Sequence, residues 1–130
     1  MGTAREEKAR KRVLIVDDQD AVRELVAMSL GDEEYELLDA ADGLAALRLA
    51  REAHPDLILL DVGMPMMDGF TVCRELKQDA ATRHIAIVML TAAGSESDRA
   101  AGQAAGADAY FTKPFSPTAL VRKVKEIIGP

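Results

Sequence analysis

Leu57-Ile58-Leu59-Leu60-Asp61-Val62-Gly63-Met64-Pro65 is the stretch whose reading decides the fold. Four large aliphatic residues run without a polar break and end at one carboxylate, and Gly63 and Pro65 then turn the chain. A short unbroken aliphatic run bounded by turn residues predicts a strand buried on both faces. Asp61 then stands at the carboxyl end of a central strand, where open α/β sheets place their ligands. Asp is also common before turns for local reasons, so this residue alone decides nothing. A second run, Val13-Leu14-Ile15-Val16, also ends in acids, Asp17-Asp18. If the two strands are neighbours, three carboxylates converge in one crevice. Such a cluster repels itself and needs a cation or a shared proton. An all-oxygen donor set suits a hard ion such as Mg2+.

Outward from these two strands, helices and strands alternate. The first strand is expected at about Arg12–Asp17 and a helix from about Gln19 to Leu30, with Val22, Leu25, Val26 and Ser29 inward and Gly31 as its C-terminal cap. Tyr35–Ala40 reads as the second strand. Asp42 caps a second helix to about Ala53, with Ala46, Leu47, Ala50 and Ala53 inward, and His54-Pro55 ends it. The third strand is Asp56–Asp61, and Asp68-Gly69 opens a third helix to about Gln78. Ile85–Leu90 reads as a fourth strand, ending at Thr91; a weak, alanine-rich helix spans Glu96–Ala105; Ala109–Thr112 is a short fifth strand. Ser116-Pro117 is an N-cap followed by Pro at the first helical position, and the last helix runs to about Ile128 with Leu120, Val121, Val124, Ile127 and Ile128 inward. Five strands alternating with five helices predict an α/β parallel sheet with right-handed crossovers, covered on both faces. The pattern alone leaves strand order open.

Composition narrows the function classes. At 130 residues, 48% of them hydrophobic and 29% charged, the chain fits one soluble domain. No apolar run approaches membrane-spanning length and nothing resembles a signal peptide, so neither a membrane span nor a membrane partner is expected. The single cysteine, Cys73, excludes an internal disulfide and fits a reducing, cytoplasmic setting; its spacing from Phe70 and Leu76 places it in the core. His54 and His84 are assigned no metal role. Of the net charge of −6, residues 5–12 contribute five basic and two acidic side chains, so the remainder holds 11 basic against 20 acidic. An acidic body argues against direct nucleic-acid binding. Residues 1–11 are expected to form a basic, solvated tail ahead of a domain spanning 12–130.

Asp17-Asp18 after strand one, Asp61 after strand three, Thr91 after strand four and Lys113-Pro114-Phe115 after strand five resemble the receiver domain of two-component response regulators. Each motif is common alone; all of them in order, each at a strand's carboxyl end, are specific. The resemblance covers about Arg12 to Ile128. It implies a flavodoxin-like (βα)5 sandwich of strand order 2-1-3-4-5, one of the common doubly wound orders. It implies that Asp61 takes a phosphoryl group from a phosphohistidine of a sensor histidine kinase or histidine phosphotransfer protein. Asp18, Asp61 and the Gly63 carbonyl would hold Mg2+, with Asp17 acting through a water. Lys113 would meet Asp61 and later a phosphoryl oxygen, Thr91 would donate to another phosphoryl oxygen, and Tyr110 would be the aromatic switch. The resemblance further implies a phosphoacceptor that assists its own chemistry rather than a turnover enzyme, and a downstream effector protein or domain as partner. It also implies a monomer or weak dimer through the fourth helix, fifth strand and fifth helix. It implies a cis Lys113-Pro114 bond, whereas base rates alone favour trans, cis being about 5–6% of X-Pro bonds.

Other classes fit less well. An FMN binder of this fold needs a hydroxyl- and glycine-rich phosphate loop where Asp17-Asp18 stands. A haloacid-dehalogenase-type phosphatase needs a D-x-D nucleophile, but Asp61 is followed by Val62-Gly63. The remaining alternative is a protein-interaction module of the same fold with a vestigial phosphorylation site. Met64, Met66 and Met67 are expected to be loop packing rather than a ligand site.

Overall fold

The computed structural model describes residues 10–31, 34–91 and 96–129. The elements are β1 (Lys11–Val16), α1 (Asp20–Leu30), β2 (Tyr35–Ala40), α2 (Gly43–Ala53), β3 (Leu57–Asp61), α3 (Gly69–Gln78), β4 (Ala86–Thr91), α4 (Glu96–Ala105), β5 (Ala109–Thr112) and α5 (Pro117–Ile128). All strand pairs are parallel and the order is β2-β1-β3-β4-β5. The doubly wound α/β expectation thus holds, with the strand order that the resemblance implied. Val16 lies opposite Leu60 across the β1–β3 pair, so Asp17 and Asp61 follow one another at the same end of adjacent strands.

The central strands read as unbroken aliphatic runs because each face of the sheet is covered. Leu14, Val16, Ile58, Leu60, Ile87 and Met89 pack with Ala46, Leu47, Val72, Cys73 and Leu76 of α2 and α3. Val13, Ile15, Leu57, Leu59, Val88 and Leu90 pack with Val26 and Leu30 of α1 and with Leu120 and Val124 of α5. Every residue of β3 is buried. Truncating one of these, as in Leu59→Ala, should cost about 2–5 kcal/mol through lost burial and a cavity.

Helix starts follow the capping residues. The carboxylate of Asp42 accepts from the Ala45 amide at 2.8 Å, that of Asp68 from Thr71 at 2.9 Å, and the Ser116 hydroxyl from Ala119 at 3.2 Å. Boundaries moved by one residue at β1, β3 and β4, and Gln19 caps α1 rather than opening it.

Two inward faces need correction. On α1, Leu25 is 46% exposed and Ser29 is only half-buried, its hydroxyl donating to the Leu25 carbonyl at 2.8 Å. On α5, Ile127 is 36% exposed. Both helices centre on an i, i+4 row, 22-26-30 and 120-124-128; Ala27 and Val121 on one side of it still pack partly on the core, while Leu25 and Ile127 on the other side face solvent. The expected basic tail lies largely outside the described residues, although Lys11 opens β1.

Candidate functional site

The carboxyl ends of β1 and β3 bring Asp17, Asp18 and Asp61 together, with one oxygen of each within 4.8 Å of the others. Asp17 is fully buried, Asp61 is nearly so and Asp18 is exposed. Lys113, just past β5, reaches into the cluster: its ammonium donates to Asp17 Oδ2 at 2.8 Å and lies 3.1 Å from Asp61 Oδ1. The Lys113 backbone is held in place because its amide donates to the Thr91 carbonyl at 2.8 Å. The Lys113–Pro114 peptide that follows is cis.

Local geometry explains why these side chains converge. Asp17 turns the chain after β1 by accepting the Gln19 amide at 2.9 Å. Arg23 of α1 donates to the Asp17 main-chain carbonyl at 2.7 Å and to Asp39 at 3.0 Å, and also pairs with Asp20. Sequence reasoning missed Arg23; a basic residue three positions after Asp20 was the available signal. Past β3, the Val62 amide donates to Leu90 O and the Gly69 amide to Val62 O. A Cβ on Gly69 would sit 2.5 Å from the Asp61 carbonyl oxygen, so α3 can start against the end of β3 only with glycine there. Gly63 is exposed, without a positive φ and with open space around its Cα; its amide donates weakly to Asp61 Oδ1 at 3.4 Å.

Electrostatics favour a cation. Burial raises the Asp61 pKa above its ordinary value; Lys113 opposes this and neighbouring Asp17 adds to it. Burial would lower the pKa of the Lys113 ammonium, but hydrogen bonds to Asp17 and Asp61 outweigh it and the net shift is upward. Three carboxylates face one ammonium, so the crevice carries excess negative charge in a partly desolvated place. Oxygen donors with surplus negative charge fit a hard divalent ion.

The remaining candidates lie around this centre. Thr91 is 6% exposed at the end of β4, its hydroxyl donating to the Phe111 carbonyl at 3.4 Å. Tyr110 is not brought to the acids. Its ring lies under α4, where a Cβ on Gly102 would be 2.4 Å from Tyr110 Cε1. Its hydroxyl is buried and has no hydrogen-bond partner among the described residues, and burial raises its pKa. Cys73 is buried in the core as expected, and burial pushes its thiol up to about 11. Met64 is buried and Met67 half-buried, but Met66 is 98% exposed, which corrects the expectation of loop packing for that residue. No described helix is long and apolar enough to cross a membrane.

The family model described as the response regulator receiver domain matches residues 13–125. Response regulator PleD of Caulobacter vibrioides is 47% identical over 116 residues, covering 89% of this chain and 26% of PleD. The transcriptional regulator RpaA of Synechocystis is 41% identical over 117 residues, covering 90% of this chain and 48% of RpaA. The chain thus spans about a quarter to a half of these relatives' length. Among solved structures, the Vibrio cholerae chemotaxis protein CheY4 superposes with a TM-score of 0.85 at 36% identity, covering 92% of this chain and 100% of that one.

Proposed function

The chain belongs to the receiver domains of two-component response regulators, and from that premise we propose that Asp61 is its phosphoacceptor. The phosphoryl donor is a phosphohistidine of a sensor histidine kinase or histidine phosphotransfer protein. An Asp61 carboxylate oxygen attacks phosphorus, the P–N bond breaks, and the imidazole leaves with its electron pair and takes a proton. The observation that carries the reading is Lys113 bridging Asp61 and Asp17. A lysine in this place neutralises the acceptor before transfer. It is also within reach of a phosphoryl oxygen afterwards, while Asp17 keeps it from swinging away.

Thr91 donates its hydroxyl to a second phosphoryl oxygen, giving up its 3.4 Å contact with the Phe111 carbonyl. Asp18, Asp61 and the Gly63 main-chain carbonyl would hold Mg2+, with Asp17 acting through a water. When bound, Mg2+ supplies charge neutralisation for the phosphoryl oxygens. The chain assists its own phosphorylation and dephosphorylation and is not a turnover enzyme. Residues 12–130 form the receiver. Its output surface is α4, β5 and α5, through which it meets an effector or pairs weakly with a second copy in the cytoplasm.

Incubation with acetyl phosphate and Mg2+, read by intact mass, should add one phosphoryl group to the wild type and none to Asp61→Asn. The same adduct on the variant would place the acceptor elsewhere. No adduct on either would favour the vestigial interaction module.

A further inference from the structure

Arg23 directs three donors at one corner of the acid crevice. Its Nη1 donates to the Asp17 main-chain carbonyl at 2.7 Å, its Nε to Asp39 at 3.0 Å, and its Nη2 to Asp20. The Arg23 side chain is 14% exposed, whereas those of Asp20 and Asp39 are 82% and 64% exposed. Ion pairs with such exposed acids contribute little to stability, so they do not account for a buried guanidinium. They do fix it in place, with α1 holding the planar fork on one side and the edge strand β2 on the other. Asp17 is held at every polar atom. Its amide donates to the Ala40 carbonyl at 3.2 Å, its Oδ1 accepts the Gln19 amide at 2.9 Å and its Oδ2 accepts Lys113 at 2.8 Å. The carbonyl is the atom left over, and Arg23 takes it. That carbonyl belongs to the planar peptide joining Asp17 to Asp18, so holding it fixes the direction in which the chain carries Asp18. Asp18 is exposed, and its carboxylate is aimed by this backbone.

We propose that Arg23 is a positioning residue for the cation site, an assignment that rests on the phosphoacceptor reading and its Mg2+ ligands. Through the Asp17–Asp18 peptide it aims the Asp18 carboxylate toward Asp61 and keeps Asp17 against Lys113. Removing a group that orients a metal ligand from behind commonly weakens metal binding by about tenfold or more. Charge and position predict opposite signs here. A guanidinium beside an acid cluster repels a divalent ion, so on charge alone its loss tightens binding. If Arg23 aims the peptide, its loss weakens binding in spite of that gain.

The test is a calorimetric Mg2+ titration of wild type, Arg23→Met and Arg23→Lys, with metal-free thermal melts and acetyl phosphate labelling at saturating Mg2+ alongside. Methionine keeps an unbranched apolar stem but removes the charge and the donors. Lysine keeps the charge but has no planar fork to join Asp17, Asp20 and Asp39 at once. Arg23→Met should raise the Mg2+ Kd about tenfold, and Arg23→Lys should raise it by less. The initial labelling rate at saturating Mg2+ should fall in the same order. A Kd that is unchanged or lowered in Arg23→Met overturns the proposal; Arg23 then only ties α1 to β2, and a lower metal-free Tm is its whole effect. If Arg23→Met does not fold, Arg23→Lys decides: with the charge conserved, a raised Kd supports the positioning role and an unaltered Kd overturns it. A wild type that binds no Mg2+, or that acetyl phosphate does not label, overturns the reading of the site itself, a result separable from the role of Arg23.

Discussion

Replacing Gly102 with alanine should destabilise this protein, and the sign should reverse when Tyr110 is truncated. In an ordinary helix interior, Gly→Ala gains about 0.8–1.0 kcal/mol. At this position of α4 the added Cβ would lie 2.4 Å from Tyr110 Cε1 and 3.3 Å from both Cζ and the hydroxyl oxygen. The ring belongs to a strand paired with β4 and packs on the core, so it yields only by shifting α4 or leaving its seat. Overpacking of this kind costs about 1–3 kcal/mol. The balance is a net loss of about 1 kcal/mol, or a Tm lower by roughly 3–4 °C for a domain of this size. With Tyr110→Ala in place the clash is gone, and Gly102→Ala should then stabilise by about 0.5–1 kcal/mol. Urea unfolding of the four proteins closes the cycle, with an expected coupling of about 2 kcal/mol. Tyrosine fluorescence adds a second readout, because the chain has two tyrosines and no tryptophan. Equal effects of Gly102→Ala in both backgrounds, or a gain of stability in the wild type, would refute the reasoning.

Mg2+ should raise the Tm by binding only the folded state, which it should stabilise by about 2.7 kcal/mol at a hundredfold excess over Kd. Asp18→Asn should stabilise the metal-free protein by removing one repelling charge while weakening this Mg2+ response; a flat wild-type melt with and without Mg2+ would contradict it. Gly63→Arg should lengthen the life of the aspartyl phosphate by shielding the path of water. The backbone there has no positive φ and its surroundings are open, so the change is unstrained. Decay that is equal or faster at saturating Mg2+ would show that orienting the water matters more than access. The Cys73 thiol, raised from 9.0 to about 11 by burial, should resist disulfide reagents at pH 8 except through unfolding. Its raised pKa contributes stability that is full below pH 9.0 and lost as pH rises through about 11, so wild type should lose stability relative to Cys73→Ala across that alkaline window. Rapid labelling of native protein would contradict this.

The strands and most helix boundaries were legible because their signals are local. An aliphatic run closed by Asp61, Gly63 and Pro65 has few other ways to fold, and Asp42, Asp68 and Ser116 sit where an N-cap must. The acids were legible as candidates because each follows a strand, and Thr91 and Lys113 through the resemblance to a receiver domain. Other features depended on neighbours distant in the chain. Leu25 and Ile127 fit a helical spacing but lie off the single row that meets the sheet. Gly102 stands inside the helix that read as weak and alanine-rich, yet the ring of Tyr110 needs the space its missing Cβ leaves. Arg23 earned notice only once its guanidinium was seen holding the Asp17 carbonyl. By itself the sequence determined the order and type of elements and which carboxylates end the central strands, because hydrophobic period and capping act within a few residues. Tertiary structure alone decided that Lys113 bridges Asp17 and Asp61, that Tyr110 is seated under α4, and that Met66 is left in solvent, because each depends on where packing places segments far apart in sequence.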